Sequence, residues 1–389
     1  MSEVRVNNLT NANQTGGPTL SGITTFSSAH FFVPPQGDTA SRPSGSPVGA
    51  LRFNTDTYHL EYYRGDTIGW VEIEAELTAP LGGGTGSNTG LGVRGMIFNP
   101  TTPSFTNQIR FLTVSTMGGD EDFGDTTASK ASCISFGSKV RAGSMGGQTT
   151  PSGGSHTNDV DVVIVASKGD SVDYATLTAN RKEGGGFANR TRAFYVGGSG
   201  AVNRIEYITI SQGGDFVDFG DLSNGSEQCA SMTSSTRAVF TMNSYVPQYT
   251  TQNTIEYIEM MTSGNSFEFG DMSSARFTVA SGSNATRGII AGGYQPGGVN
   301  VVNTSEFITM STTGYTTDFG DLTVARYSTV GSCCSGTRMV MPGGHRNPNP
   351  QTDTIDSFEF ATTGNAIDFG DLGTAFAYCT NTSNGHGGL

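Results

Sequence analysis

The chain has 389 residues, a net charge of −13 and 55 glycines. The acidic charge excludes a nucleic-acid partner, because phosphate binding needs a surface rich in lysine and arginine. No apolar run approaches the roughly 20 residues that span a bilayer, and the five cysteines lack metal-ligand spacing, so we expect no membrane insertion, no metal site and no cofactor.

Residues 1–48 are predicted to be an extended N-terminal attachment segment. Its first part is rich in asparagine, threonine and serine, and the stretch from Pro34 to Pro47 has the proline, glycine and serine of a connector without regular structure. No long stretch here or farther along shows strong helical periodicity. Short β-branched and aromatic runs between glycines instead predict an all-β fold.

Residues 49–78 are predicted to form a small β module of three short strands. Its alternating apolar positions are Leu51, Phe53, Leu60, Tyr62 and Trp70. The order from Leu51-Arg-Phe-Asn-Thr-Asp-Thr57 to Trp70-Val71 resembles a module of phage (cyanophage-type) tail-fibre and other virion structural proteins. The resemblance implies a virion location and attachment to other virion proteins through Leu51, Phe53, Tyr62 and Trp70. Because a module this short has little hydrophobic core, we expect contacts with other virion proteins, or with further copies of the chain in a homo-oligomer, to stabilise it.

Residues 79–90, with Gly82-Gly83-Gly84, are predicted to be a flexible linker. Residues 91–389 then contain an internal repeat. One marker is a phenylalanine before Gly-Asp with a fifty-residue spacing, at Phe219, Phe269, Phe319 and Phe369. A second marker is an arginine before an apolar run, which occurs at Arg94, Arg141, Arg192, Arg237, Arg287 and Arg338. The predicted number of repeats is therefore six.

One repeat unit, residues 273–322, predicts four strands. They are strand a (Phe277–Ser281), strand b (Arg287–Ala291), strand c (Thr304–Met310) and strand d (Tyr315–Phe319). An arginine before the first strand, paired glycines after the second and aromatic residues in the third and fourth resemble a Kelch repeat. The resemblance covers residues 92–382, with the glycine pair lost at Met242-Asn243 and Pro342-Gly343. It implies a six-bladed β-propeller with four strands in each blade.

The two ends of the repeat region complement each other. The first copy begins at strand b, Val93–Phe98, and the last copy ends at strand a, Thr374–Thr380. Pairing these strands closes one blade with both termini and removes open strand edges that invite aggregation. Both ends then emerge on the side of the a–b loops. The b–c loops are therefore predicted to face away from the attachment module.

The b–c loops are the predicted binding surface, because they vary in length on an otherwise regular repeat. Aromatic rings flanked by polar groups suit sugars, and the candidate ligand-binding residues are Tyr245, Tyr249, Tyr294, Gln295, His345 and Arg346. The recurring Phe-Gly-Asp is not a kinase motif here, since no ATP-binding loop accompanies it. Its aspartate is predicted to cap a turn.

These patterns predict a non-catalytic, fibre-like virion protein whose propeller binds a host-surface glycan or protein. A capsid decoration or head-fibre protein would share the whole pattern and remains an alternative. A glycan-cleaving tailspike is a second alternative, because some six-bladed propellers are sugar-cleaving enzymes. The sialidase motif Ser-x-Asp-x-Gly-x-Thr-Trp is absent and the histidines are scattered, so we expect no catalytic residues and no enzyme activity.

Overall fold

The computed structural model describes residues 34–57, 59–72, 93–102, 104–151, 154–200, 202–242, 244–245, 250–296, 300–327, 329–346 and 351–389. These residues form 34 β-strands and no helix, which confirms the predicted all-β class. In this part of the chain there is accordingly no helix long and apolar enough to cross a membrane. The chain divides into two compact units, Met1–Glu76 and Leu77–Leu389.

The first unit contains one four-stranded sheet. Its strands, in the order in which they pair, are β1 (Gln36–Gly37), β2 (Leu51–Asn54), β3 (His59–Tyr63) and β4 (Trp70–Glu72). β1 lies within the predicted connector and pairs in parallel with β2, whereas the other pairs are antiparallel. Because side chains alternate along a strand, Arg52 and Asn54 are buried on one face while Leu51 is exposed on the other.

The second unit is built from short strands throughout. In chain order they are β5 (Arg94–Phe98), β6 (Thr106–Thr113), β7 (Glu121–Lys130), β8 (Ile134–Gly137), β9 (Arg141–Met145), β10 (Asp159–Ile164), β11 (Val172–Thr176), β12 (Gly185–Ala188), β13 (Arg192–Val196), β14 (Arg204–Thr209), β15 (Gly214–Asp215), β16 (Val217–Asp221), β17 (Ser231–Thr233), β18 (Arg237–Thr241), β19 (Ser244–Tyr245), β20 (Thr250–Thr251), β21 (Thr254–Glu259), β22 (Phe267–Asp271), β23 (Ala280–Ser283), β24 (Arg287–Ala291), β25 (Tyr294–Gln295), β26 (Asn300–Val301), β27 (Thr304–Thr309), β28 (Thr317–Asp321), β29 (Thr329–Val330), β30 (Cys333–Cys334), β31 (Arg338–Pro342), β32 (Thr352–Glu359), β33 (Ile367–Phe376) and β34 (Cys379–Ser383).

Six sheets, each with four antiparallel strands a, b, c and d in that order, form the framework of this unit. They are sheet 1 (β34, β5, β6, β7), sheet 2 (β8, β9, β10, β11), sheet 3 (β12, β13, β14, β16), sheet 4 (β17, β18, β21, β22), sheet 5 (β23, β24, β27, β28) and sheet 6 (β30, β31, β32, β33). β15 and β29 add in parallel to sheets 2 and 1. The pairs β19–β20 and β25–β26 lie in the b–c loops of sheets 4 and 5.

Each sheet contacts the next, and sheet 6 contacts sheet 1. The a strands follow one another in the order β34, β8, β12, β17, β23, β30 and back to β34. The arginine that begins each b strand donates a hydrogen bond to a main-chain carbonyl of the following sheet. The first of these six bonds joins Arg94 to Val165 at 2.7 Å, and the last joins Arg338 to Val114 at 3.5 Å. Clusters of buried apolar residues fill the spaces between successive sheets. The core of this unit therefore lies between its sheets.

Sheet 1 joins the two ends of the unit. β34 pairs antiparallel with β5, with Thr380 opposite Phe98. The predicted closing strand Thr374–Thr380 is wrong in its bounds, because β33 continues to Phe376 and still pairs there with Thr352 of sheet 6. Tyr378, with a φ of 54°, turns the chain between the two strands. In sheet 5, strand b matches its predicted range, whereas strands a and d begin later than predicted.

The repeated Phe-Gly-Asp fixes the contact between neighbouring sheets. Phe219 is buried in the cluster between sheets 3 and 4. A Cβ atom on Gly220 would collide with the main-chain carbonyl of Gly264 in sheet 4, so only glycine fits there. Asp221 is held through its main chain, since its carbonyl accepts a hydrogen bond from the Ser266 amide at 2.9 Å. The aspartate therefore contributes backbone contacts rather than the predicted side-chain cap.

The glycine pair after strand b is present in sheet 6, contrary to its predicted loss at Pro342-Gly343. Pro342 is the last residue of β31, and the pair is Gly343-Gly344, with φ values of 65° and 119°. These values match those of Gly292-Gly293 in sheet 5, 63° and 108°. Both residues lie in the left-handed region that favours glycine, and the same turn therefore follows strand b in both sheets.

The chain beyond β34 crosses the a strands of other sheets. His386 is half-buried. Its Nε2 lies 2.7 Å from the Gly137 carbonyl of sheet 2, and its Nδ1 lies 3.2 Å from both the Thr233 hydroxyl of sheet 4 and the Gly388 amide. The Gly387 amide donates to a carbonyl of sheet 5 at 2.9 Å. The tail therefore links three sheets, and burial lowers the pKa of His386 to about 4.

Candidate functional site

A row of aromatic rings, called the aromatic row below, runs from sheet 5 through sheet 6 to the start of sheet 1. Its members are Phe277, Tyr294, Tyr327, His345 and Tyr378. The distances between neighbouring ring centroids, in that order, are 4.9, 5.6, 4.9 and 6.0 Å. The first four rings are half-buried, and Tyr378 is 43% exposed. The row is thus a continuous apolar strip with edges open to solvent.

Main-chain pairing positions these rings. Phe277 and Tyr294 exchange two hydrogen bonds of 3.0 Å, and Tyr327 and His345 do the same at 3.0 and 2.7 Å. Tyr294 and His345 each follow a glycine pair after strand b, and Phe277 and Tyr327 each lie shortly before strand a of the same sheet. The positive-φ glycines turn the chain back so that the two positions meet. The same turn therefore builds one half of the row in each sheet.

The row is uncharged at neutral pH. Burial raises the pKa of the Tyr327 phenol, and burial lowers the pKa of the His345 imidazole below its ordinary value. The imidazole is therefore neutral at pH 7. Flat apolar faces can stack on a planar or ring-shaped ligand, and phenol hydroxyls can donate and accept hydrogen bonds beside them.

Tyr294 and His345, two of the six predicted ligand-binding residues, belong to the row. Gln295 and Arg346 follow them directly in the chain and are half-buried. Gln295 Nε2 donates to Ser274 Oγ at 3.1 Å and so faces its own sheet. The structure therefore brings two of these four residues into one surface and leaves the other two beside it.

Two predicted ligand-binding residues remain, Tyr245 and Tyr249. The backbone of Tyr245 is described as part of β19, but its side chain is not, and Tyr249 lies outside the described residues. Sequence reasoning missed Phe277, Tyr327 and Tyr378. A signal was present, because Phe277 and Tyr327 stand fifty residues apart and each directly follows an arginine. Phe277 falls in the predicted strand a of the repeat, where an aromatic residue needs no special explanation.

The predicted attachment residues of the first unit lie on two faces of the sheet. Leu51 pairs with Tyr62, and Phe53 lies on the same face two residues along β2. Trp70 pairs with Tyr63 on the other face, with ring centroids 5.4 Å apart. Its indole Nε1 also donates to the Pro43 carbonyl at 3.1 Å. Trp70 therefore packs within its own unit and does not share one surface with the other three residues.

The face that carries Trp70 has a charged interior. Glu61 is completely buried, with Arg42 Nη2 at 2.6 Å and Arg52 Nε at 3.3 Å. Burial alone would raise the pKa of Glu61, but the hydrogen bonds from Arg42 and Asn54 outweigh it and lower the pKa. On the opposite face, Leu51 is 42% exposed and Leu60, which pairs with Phe53, is 38% exposed. This second surface is called the apolar face below.

The chain matches no protein-family model and no curated protein. Within the described ranges, no group of three or more His, Cys, Asp or Glu side chains is arranged to hold a metal ion. The five cysteines are free and buried, and burial raises the pKa of Cys229 to about 12. A buried thiol of this kind is an inert packing residue rather than a nucleophile.

Proposed function

We propose that the six sheets of the second unit form a six-bladed, Kelch-like β-propeller. The proposal is supported by the closed circuit of a-strand contacts and by the arginine-to-carbonyl hydrogen bonds that pass from each sheet to the next. The fifty-residue period and the four antiparallel strands in each sheet agree with the blade of such a propeller.

The proposed role is that of a non-catalytic, fibre-like virion component whose propeller binds the host surface. The aromatic row carries this proposal, because it departs from the sixfold repetition. The equivalent pairs in sheets 1, 2 and 3 have no aromatic ring, and they are Thr101–Ala377, Ala131–Gln148 and Lys182–Ser199. In sheet 4 the residues fifty positions before Phe277 and Tyr294 are Glu227 and Ser244, which are also not aromatic. Residues that recur in every sheet serve the architecture, whereas a binding site requires a local difference.

A neutral glycan is the proposed ligand class. The aromatic faces can stack on the apolar side of a sugar ring while phenol and imidazole groups bind its hydroxyls. The row itself is neutral, and the net charge of −13 repels anionic glycans. Display of many copies on a particle would raise the avidity of weak single contacts.

Particles that carry Tyr294→Ala together with Tyr378→Ala test this role. We expect adsorption to host cells and binding to host glycans to fall, with about 1 kcal/mol, or roughly fivefold in Kd, lost for each ring. Tyr315→Ala is the matched control, because Tyr315 is 79% exposed in the c–d loop of sheet 5 and is not a member of the row. Unchanged adsorption by the double variant would contradict the host-binding role and favour a capsid decoration protein.

The first unit is proposed to attach the protein to other virion proteins through the apolar face, which contains Leu51, Phe53, Leu60 and Tyr62. Exposed apolar side chains on one side of so small a sheet favour association with a partner. Locating the chain in a map of the intact particle would distinguish a tail fibre from a head fibre. Absence of the chain from purified particles would contradict both.

A further inference from the structure

A buried ion pair lies at the same place in four of the six sheets. In each of them, an arginine or lysine shortly before strand a reaches a carboxylate in strand c. The pairs are Lys130–Asp161, Arg181–Glu206, Arg276–Glu306 and Arg326–Asp356, with N–O distances of 2.5, 3.4, 2.7 and 3.0 Å. None of these side chains is more than 6% exposed. The position is thus built to hold a cation inside the sheet.

Sheet 5 shows how the cation is held. Arg276 Nη2 donates to Glu306 Oε1 at 2.7 Å, and its Nη1 donates to the carbonyls of Thr304 and Gly292 at 3.0 and 3.1 Å. Glu306 also accepts a hydrogen bond from the Ser273 amide at 3.1 Å. One carboxylate and two carbonyls thus surround the planar guanidinium group, whose fixed donors match them.

Sheet 4 keeps the carboxylate, but among the described residues no cation pairs with it. Glu256 is 2% exposed and accepts hydrogen bonds from the amide and hydroxyl of Ser223 and from the hydroxyl of Ser266. Ser226 stands fifty residues before Arg276, where the repeat has its arginine. A cavity of about 200 Å³ lies there, and its lining includes Ser226, Met242, Thr254 and Glu256. The missing side chain has therefore left space beside a buried carboxylate.

We propose that this cavity binds a guanidinium group. Thr254 and Glu256 stand fifty residues before Thr304 and Glu306, two of the three residues that accept hydrogen bonds from Arg276, so an incoming guanidinium would meet an equivalent carboxylate and carbonyl. At the third position Met242 replaces Gly292 and does not share its φ of 63°. A buried carboxylate is stabilised by a hydrogen-bonded cation, whereas the donors that contact Glu256 within the described part of the chain are the uncharged groups of Ser223 and Ser266. The arginine side chain of a partner protein and a free guanidinium compound share this chemistry.

The size and surroundings of the cavity limit what it can hold. Its volume is below the roughly 300 Å³ at which pockets for larger organic ligands begin, so a single side chain or a small cation is the appropriate occupant. Glu256 is the one carboxylate among the residues that line the cavity, and in the described part of the chain no three acidic, histidine or cysteine side chains come together to hold a metal ion, which disfavours calcium. Ser223 and Asn224 line the cavity and are exposed, which gives it a route to solvent. The site belongs to sheet 4 and is independent of the proposed glycan surface.

Binding of methylguanidinium to the full chain, followed by saturation-transfer NMR, tests the proposal. We expect saturable binding with a Kd in about the millimolar range, at least tenfold weaker binding to Glu256→Gln and none to Ser226→Arg, in which the new side chain fills the cavity. Methylurea has the same shape without the charge and should not bind. Acetyl-arginine amide, as a second probe, separates the two sources: if it binds as well as methylguanidinium, the site admits an arginine side chain.

Two comparisons keep the result independent of folding. Ser226→Arg should melt at the same temperature as the wild type or higher, because it restores the pair present in the other sheets. Arg276→Ser creates a matching cavity beside Glu306, so methylguanidinium should raise its melting temperature more than that of the wild type. Three results would each overturn the proposal. Methylguanidinium could bind a folded Ser226→Arg as well as it binds the wild type, methylurea could bind the wild type as well as methylguanidinium does, or methylguanidinium could fail to bind the wild type.

Discussion

The small N-terminal sheet and the six-sheet unit distribute charged and apolar side chains differently. In the first, Glu61 and Arg52 are buried on the face that carries Trp70, while Leu51 and Leu60 of the apolar face are about two-fifths exposed. In the second, apolar clusters fill every space between the sheets, and a fully buried ion pair recurs at one position in four of the sheets. The first unit therefore depends on a charge network for its interior, whereas the second depends on apolar burial and on closure.

The contrast can be measured on one protein, because the two units have separate spectroscopic signals. Trp70 is the only tryptophan of the chain and lies in the first unit. Its fluorescence follows the unfolding of the small sheet alone. Far-UV circular dichroism and calorimetry are dominated by the larger second unit.

Deletion of Cys379–Leu389 is expected to have the largest effect. It removes strand a of sheet 1 and the tail that links sheets 2, 4 and 5, and it leaves β5 with an unpaired edge. We expect the calorimetric transition of the second unit to be lost, while the Trp70 fluorescence transition stays unchanged. A truncated protein with the wild-type transition would refute the structural role of closure.

Glu61→Gln is expected to destabilise only the first unit, by about 3 kcal/mol, because it leaves buried Arg52 without its anionic partner. Urea unfolding followed by Trp70 fluorescence measures this loss. Glu72→Gln is the matched control, since the Glu72 side chain is 30% exposed and 4.0 Å from Arg42, and it should cost less than about 1 kcal/mol. Equal losses for the two variants would contradict a charge-dependent interior.

Mild acid is expected to separate the units. The folded-state pKa of His386 is lowered to about 4 from an ordinary 6.5 by burial, so the unfolded chain binds a proton first and the second unit loses stability as pH falls from 6.5 towards 4. The full loss is roughly 3 kcal/mol at 1.36 kcal/mol per pKa unit. Protonated Nδ1 could no longer accept from the Gly388 amide. His386→Asn should flatten this part of the calorimetric pH profile.

The first unit should respond in a different pH range. The pKa of Glu61 is held below its ordinary value of 4.5, so the contribution of Glu61 is complete above that pH and declines only as pH falls further. Between pH 6.5 and 4.5 the Trp70 transition should therefore stay constant while the calorimetric one declines. A parallel decline of both transitions would show that His386 is not the group responsible.

Leu51→Ser with Leu60→Ser is expected to have the smallest effect on stability, within about 0.5 kcal/mol for each exposed position. On the proposed function, the same variant should be depleted from purified particles, because it removes apolar surface from the apolar face. Ile68→Ser is the control, as Ile68 is 56% exposed in the turn before β4. Wild-type levels of the double variant in particles would argue against attachment through this face.

Much of the strand order could be predicted from the sequence, because a fifty-residue period and two complementary ends leave few arrangements. The strand bounds near Tyr378 could not be predicted from the sequence, because the extension of β33 to Phe376 depends on pairing with Thr352 in another part of the chain. The face of Trp70 depends on the register between β3 and β4, and a shift of one residue would move it to the other side. Local pattern does not determine that register.

The candidate sites were predictable to different degrees. Ser226 could have been recognised from the sequence alone, because it interrupts a series of arginines at the fifty-residue spacing of Arg276 and Arg326. The cavity itself could not, since neighbouring side chains can collapse into the space of a missing one. The aromatic row required the turn at each glycine pair, which brings Tyr327 and His345 together from positions 18 residues apart.

Closure of sheet 1 also sets an order of events during synthesis. Arg94 at the start of β5 bonds to Asn384, 290 residues later. At the usual elongation rate of about 5–20 residues per second, the ribosome needs roughly 15–60 s to cover that distance. Sheets 2 to 6 consist of strands that are consecutive along the chain and can form as they emerge, but β5 must wait with one edge bare. Slower translation should therefore prolong this aggregation-prone interval, and the yield of soluble protein should depend on how quickly β34 arrives.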